Sequence, residues 1–271
     1  VVHDYSDVAI PTNKRNCQVC HEQGPAQANQ WLTHPTRAAC GACHDDADFD
    51  SGKGHVNLPQ ISDNMCAQCH FPQGELEFDA SIMGAHTIPY NSTMLTGFQW
   101  AITRVDNGTA GRKPTISFTL KDKDGKPLAA SDFARIFAVM AGPTSDYTTK
   151  FAGQTTSGYV SEDMARAACS NGACTYTFNT DIPANARGTF SISLEGRRVE
   201  TIYGGTVTQQ SVQYGRKNAV TYFSVDGSRV APRREMVDIK KCLACHVSIR
   251  LHGENRIDTI EHCVVCHNPV E

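Results

Sequence analysis

The chain has 271 residues, a formal net charge of −3, and 40% hydrophobic and 20% charged residues. That balance gives no support for binding nucleic acid or an anionic membrane surface, and no apolar run approaches the roughly 20 residues of a membrane-spanning helix. The length admits one to three domains, and the unusual part of the composition is its twelve Cys and eleven His.

Residues 1–94 contain three Cys-x-x-Cys-His signatures in quick succession: Cys17–Cys20–His21, Cys40–Cys43–His44 and Cys66–Cys69–His70. The spacing is that of a c-type haem attachment site. Two thiols on one short turn add to the two vinyl groups of a porphyrin, and the adjoining His ligates its iron. The segment is rich in Asn, Gln, Gly and Asp and shows no long periodicity, so short helical turns joined by loops are expected. The carboxylates of Asp45, Asp46, Asp48 and Asp50 alternate as in a calcium loop. Gly52 falls one place late, however, and the distal Glu is missing, so a solvated acidic turn is the expected reading and calcium the alternative.

Residues 95–235 change character. Alternating β-branched and aromatic residues predict strands over Thr115–Leu120, Ala134–Met140, Cys174–Phe178, Gly188–Leu194 and Ala219–Val225, with turns at Asp124-Gly125, Gly142-Pro143 and Asp226-Gly227. About seven short strands indicate an antiparallel sandwich or Greek-key barrel, and the segment is long enough to bury its own core. Cys169 and Cys174 flank Asn171-Gly172, a strong hairpin signal. A disulfide across that hairpin is expected, with a pair of free thiols as the alternative.

Residues 236–271 add the signatures Cys242–Cys245–His246 and Cys263–Cys266–His267. Five signatures predict five haems c. They consume ten Cys and five His, leaving His3, His34, His55, His86, His252 and His262. Five irons with two imidazoles each need five more, and these residues cluster in the haem-bearing segments. His3, His34, His55, His86 and His252 are therefore expected as distal ligands, with His262, directly before Cys263, as the spare. Met65 and Met83 are weaker alternatives. The architecture expected is α+β or irregular: a trihaem segment (1–94), an antiparallel β domain (95–235) and a dihaem segment (236–271). Haem attachment takes place outside the cytoplasm, so a leader is expected to have been removed or to lie outside this sequence.

The stretches Pro232–His246, Leu251–Arg256 and Cys263–Pro269 resemble the outer-membrane multihaem cytochromes of metal-reducing bacteria, the OmcA/MtrC family. Ala141–Tyr147 and Ile182–Thr189 resemble that family's β domain, and Val8–Cys17 the approach to its third haem. The resemblance implies split-barrel β domains alternating with pentahaem segments, bis-His ligation, and electron export at the cell surface to metal oxides, flavins or other cytochromes. It also implies a flavin site beside the β-domain disulfide. The order differs from the family module, because the β domain stands between haems three and four. The stretch that would supply further His after His267 is missing. This arrangement leads to the expectation of one unit in a longer array, either a segment of a larger polypeptide or a filament of copies, with a distal His for one of the last two haems supplied by a neighbouring unit; the alternative is a monomer whose two haem segments fold back together into one five-haem cluster. The alternative function is a multihaem reductase acting on a small oxyanion at an open iron. Five His-terminated signatures, with enough His to close every iron, count against it.

Overall fold

A computed structural model describes residues 12–21, 27–153 and 158–268, without the side chains of Cys20 and His21. It divides into two compact units. One comprises the chain up to Thr93 with Tyr203–Gln210 and Cys245–Val247; the other comprises Met94–Ile202, Ser211–Ala244 and Ser248 onward.

The first unit consists of short helices, two of them with side-chain caps: α1 (Gln18–His21), α2 (Gln30–Thr33), α3 (Arg37–Gly41), α4 (Cys66–Cys69) and α5 (Ile82–Ala85). Helices this short are unstable alone, so each depends on local hydrogen bonds. Thr36 caps α3 by accepting the Ala39 N–H (3.1 Å), and Ser81 caps α5 by accepting the Gly84 N–H (3.0 Å). Asp63, in the turn before α4, accepts both the backbone N–H and the Nε–H of Arg37 at 3.0 Å. These bonds from Arg37 hold its carboxyl below the usual range, and they join the start of α3 to the approach of α4. In the acidic turn Asp48 accepts the N–H groups of Asp50 (3.1 Å) and Ser51 (3.3 Å) and the Ser51 hydroxyl (2.5 Å). Its carboxylate is thus satisfied within its own loop.

The second unit is built on two open antiparallel sheets. The first has the order β1 (Gln99–Asp106), β2 (Thr115–Lys121), β6 (Ala173–Thr177), β5 (Ala168–Ser170). The second has the order β4 (Tyr159–Asp163), β3 (Arg135–Ala141), β7 (Thr189–Ile202), β8 (Gln210–Gly215), with β9 (Ala219–Ser224) also paired to β7. In β2 the alternation buries Ile116, Phe118 and Leu120 and leaves the intervening residues partly exposed, as a sheet with one covered face requires. Glu162 of β4 joins the two sheets. It accepts the Tyr176 hydroxyl (2.7 Å) and the backbone N–H groups of Asn179 (2.8 Å) and Thr180 (2.9 Å).

The β5–β6 hairpin turns at Asn171 (φ 49°) and Gly172 (φ 76°), the two left-handed residues of a type I′ turn. Cys169 and Cys174 are directly opposed in the register and form a disulfide. β7 runs eight residues beyond the predicted strand end at Leu194 because its polar half, Glu195–Ile202, is also held in the sheet. β1, β4, β5 and β8 add strands that the sequence pattern did not single out.

After the sheets come α6 (Ile239–His246), a small hairpin β10–β11 (Arg250–Leu251 and Arg256–Ile257), and α7 (Ile260–Cys266). α7 is not an appendage. Its Val265 is buried with Val139, Ala141 and Tyr147 of the β unit, and Tyr159, Val264 and Cys266 pack on that cluster.

Candidate functional site

Every signature lies on or beside a short helix, which places its two Cys one turn apart and its His at or just past the helix end. Cys17 stands before α1. Cys40 lies in α3, with Cys43 and His44 just beyond it. Cys66 and Cys69 open and close α4, with His70 at the C-cap. Cys242, Cys245 and His246 lie in α6. Cys263 and Cys266 lie in α7, with His267 at its C-cap. The side chains of Cys20 and His21, and all of His3, fall outside the described residues. Apart from Cys20, whose side chain is not described, none of the signature Cys forms a disulfide. Burial pushes the Cys40, Cys66 and Cys263 thiols up.

Three of the five expected distal His are brought to a signature His. The ring centroids of His44 and His86 are 6.2 Å apart, those of His55 and His70 6.1 Å, and those of His252 and His267 6.2 Å. The separation has a chemical reading. Two imidazoles with centres about 6 Å apart leave room between them for one metal ion, which would bond a nitrogen of each at about 2.0 Å. Each pair joins one signature His to one non-signature His.

The outer nitrogens support the same reading. His55 Nδ1 is 2.9 Å from the Leu58 carbonyl, His70 Nδ1 3.0 Å from that of Ala80, and His86 Nδ1 2.7 Å from that of Ile82. A backbone carbonyl can only accept, so each Nδ1 carries the proton and each Nε2 keeps its lone pair for a metal. His34, the C-cap of α2, has Nδ1 2.8 Å from the Thr33 hydroxyl. That hydroxyl donates to the Asn29 carbonyl, which fixes the same tautomer. Among the described residues no ring contact of this type involves His34 or His246.

The fifth signature is the best supported by its surroundings. His252 sits in the β10–β11 turn, where three successive residues are left-handed: His252 (φ 52°), Gly253 (φ 64°) and Glu254 (φ 67°). A non-glycine residue there costs about 1 kcal/mol or more, so the turn needs outside support. Arg197 Nη1 (3.2 Å) and Gln213 Nε2 (3.0 Å) donate to the Gly253 carbonyl, Asn255 donates to the His252 carbonyl, and Arg250 Nη2 donates to that of Gly215 (3.0 Å). Burial, and after it the nearby Arg256 charge, lowers the His252 pKa, which favours the neutral, ligating form. Asn218 completes the frame. It donates to the carbonyls of Leu194 (3.0 Å) and Asn255 (2.9 Å) and accepts the Ile257 N–H (2.8 Å), while its own N–H reaches Thr259 Oγ1 (3.0 Å).

His262 is excluded as a ligand by its neighbours rather than by its place in the sequence. It is 2% exposed, with Nδ1 2.7 Å from Ser193 Oγ and Nε2 3.0 Å from Glu195 Oε2. Both nitrogens are therefore occupied. Sequence reasoning missed Glu195, Asn218 and Arg256 as parts of this site. The one available signal was a carboxylate directly following an apolar strand pattern.

These features fit a haem c: paired thiols, an imidazole with its outer nitrogen fixed, and a second imidazole at ligand distance. Exposed apolar side chains also stand beside the third signature and its partner, with Val56 and Leu58 following His55 and Phe71 following His70.

No protein-family model matches the chain. A multihaem cytochrome MtrC of Shewanella baltica is 29% identical over 119 residues, which is 43% of this chain and 17% of that protein. The crystal structure of MtrC from Shewanella baltica superposes with a TM-score of 0.60 at 18% identity, over 97% of this chain and 51% of that one. That of the outer membrane decahaem cytochrome OmcA gives 0.62 at 16% identity, over 98% and 41%. The chain has the fold of the MtrC and OmcA cytochromes. It spans about half or less of the length of these relatives, and the likeness to an OmcA/MtrC-type multihaem cytochrome runs through the β sheets and both Cys-rich segments.

Proposed function

We propose that this chain is a multihaem c-type cytochrome that carries electrons along five haems attached at its five signatures, outside the cytoplasm and at the cell surface. The observation that carries this reading is the set of three imidazole pairs at 6.1–6.2 Å, each uniting a signature His with another His. Each haem, when bound, supplies a one-electron Fe(III)/Fe(II) couple. The chain's own residues do the rest. Cys40, Cys43 and His44 with His86 would hold the second haem; Cys66, Cys69 and His70 with His55 the third; Cys263, Cys266 and His267 with His252 the fifth. Cys17, Cys20 and His21, and Cys242, Cys245 and His246, would hold the first and fourth, with His3 and His34 as the remaining distal ligands. Two imidazoles on each iron would leave no position for an oxyanion, which favours electron transfer over reduction at an open site. The redox partners proposed are other multihaem cytochromes, metal oxides and flavins. No helix of the described residues is long and apolar enough to cross a membrane.

The test is the intact mass of the mature protein, together with its electron paramagnetic resonance (EPR) spectrum. Five haem groups added to the polypeptide, all low-spin and unchanged by carbon monoxide after reduction, are expected. Fewer haems, or a high-spin signal worth one haem, would overturn the count or the closed coordination.

A further inference from the structure

Glu195 is 1% exposed in the middle of β7, and nitrogen donors from three separate elements converge on it. Arg135 Nη2 of β3 donates to Oε1 at 3.0 Å, Arg256 Nε of β11 to Oε2 at 2.8 Å, and His262 Nε2 of α7 lies 3.0 Å from Oε2. Ser193 Oγ, on the same strand, fixes the other side of the His262 ring at 2.7 Å. The placement of these partners is what matters. Arg256 closes the hairpin whose turn presents His252. His262 directly precedes Cys263 in the helix capped by His267. One carboxylate therefore grips both segments that supply the two imidazoles paired at 6.2 Å.

A buried ionic cluster adds little to stability compared with an apolar replacement, so its chemistry calls for another account. Charges held in a dry interior act over longer distances than charges in water, because neither solvent nor salt screens them fully. A fixed negative charge favours the ferric form of a neighbouring iron, and a fixed positive charge favours the ferrous form. We infer that Glu195 is a positioning residue for the fifth haem: its grip on Arg256 and His262 sets the mutual orientation of His252 and His267, and its balance with Arg135 and Arg256 sets the potential of the iron between them. The inference rests on the reading that a haem is attached at Cys263 and Cys266.

The experiment compares the haem-loaded wild type with Glu195→Gln, Glu195→Asp and Arg135→Gln by intact mass, potentiometric titration and EPR. Arg135 is one-third exposed, and Glu195 keeps its bonds to Arg256 and His262 when Arg135 is replaced by Gln. Five haems are expected in each protein. In Glu195→Gln one of the five reduction steps should shift upward by about tenfold in its equilibrium constant, or about 59 mV for one electron. One low-spin signal should change its g-values while the others keep theirs. In Arg135→Gln the same step should shift downward, and Glu195→Asp should fall between wild type and Glu195→Gln. Five haems with no step moved, equal shifts in every step, or shifts of the same sign in Glu195→Gln and Arg135→Gln would overturn this inference and leave the cytochrome reading intact. A wild-type protein without haem at Cys263 and Cys266 would overturn both. If Glu195→Gln fails to accumulate, the direction of the Arg135→Gln shift decides alone.

Discussion

Glu195 shows how one buried group makes the molecule sensitive to acid. Burial alone would raise its carboxyl, but hydrogen bonds from His262 and Arg256 and their charges win and hold it at about 2. A carboxyl depressed on folding contributes stability that is fully present above its unfolded value, near 4.5, and that is lost as the pH falls toward 2. The expected outcome is an acid-unfolding limb between about pH 4.5 and 2, followed by circular dichroism, that flattens in Glu195→Gln. Asn218 tests the same frame without a charge. Asn218→Ala leaves the carbonyls of Leu194 and Asn255 and the Ile257 N–H without their buried partner, and a loss of about 2–4 kcal/mol is expected in denaturant unfolding. By contrast, Asp63 is exposed, so its pair with Arg37 contributes little to global stability and serves to set the local geometry between α3 and α4.

At the scale of the element, two hairpins illustrate opposite means of fixing a turn. β5–β6 carries its own chemistry: Asn171 and Gly172 adopt the required left-handed conformations and a disulfide closes the pair. Its closed loop is short, so chain entropy limits the disulfide's worth to about 2 kcal/mol. The double variant Cys169→Ser/Cys174→Ser is expected to lower the melting temperature by a few degrees and to keep all haems. The wild-type pair should resist alkylation in denaturant until reductant is added. The β10–β11 turn instead depends on its surroundings, since Arg197, Gln213 and Arg250 hold it from β7, β8 and within the hairpin itself. His252→Ala should therefore produce a high-spin ferric signal worth one haem in five while the other four stay low-spin. Gly253→Ala, at φ 64°, should cost about 1 kcal/mol and broaden that same haem's signal.

For the molecule as a whole, the two kinds of segment are stabilised differently. The sheets bury an ordinary apolar core around Ile116, Phe118, Ile136, Phe190 and Ile192 and can be expected to fold on hydrophobic burial alone. The segment up to Thr93 has short capped helices and conspicuously exposed apolar side chains at Val56, Leu58 and Ile61. Covalent porphyrins would supply its missing apolar mass. Replacing both Cys66 and Cys69 by Ser, which removes one attachment site, is therefore expected to make the first segment markedly more susceptible to limited proteolysis. The β sheets should remain protected, and mass spectrometry of the fragments separates the two outcomes.

The five signatures, the alternation of strands such as Thr115–Leu120 and the Asn171-Gly172 hairpin were legible in the sequence because each depends on residues close along the chain. Spacing fixes which thiols would share a porphyrin, a period of two fixes which side of a strand is buried, and two residues fix a turn. The sequence also limited the supply of imidazoles to six, without saying which of them meets which signature. That matching was decided by tertiary structure. His44 meets His86 from 42 positions away, and His252 reaches His267 only because β7 and β8 hold its turn in a conformation the turn would not keep by itself. The fate of His262 was settled in the same way. Nothing in its neighbourhood along the chain shows that Ser193 and Glu195, nearly 70 residues earlier, occupy both of its nitrogens. Ligand choice depends on distance and on which nitrogen is free, and both follow from packing between segments far apart in the chain.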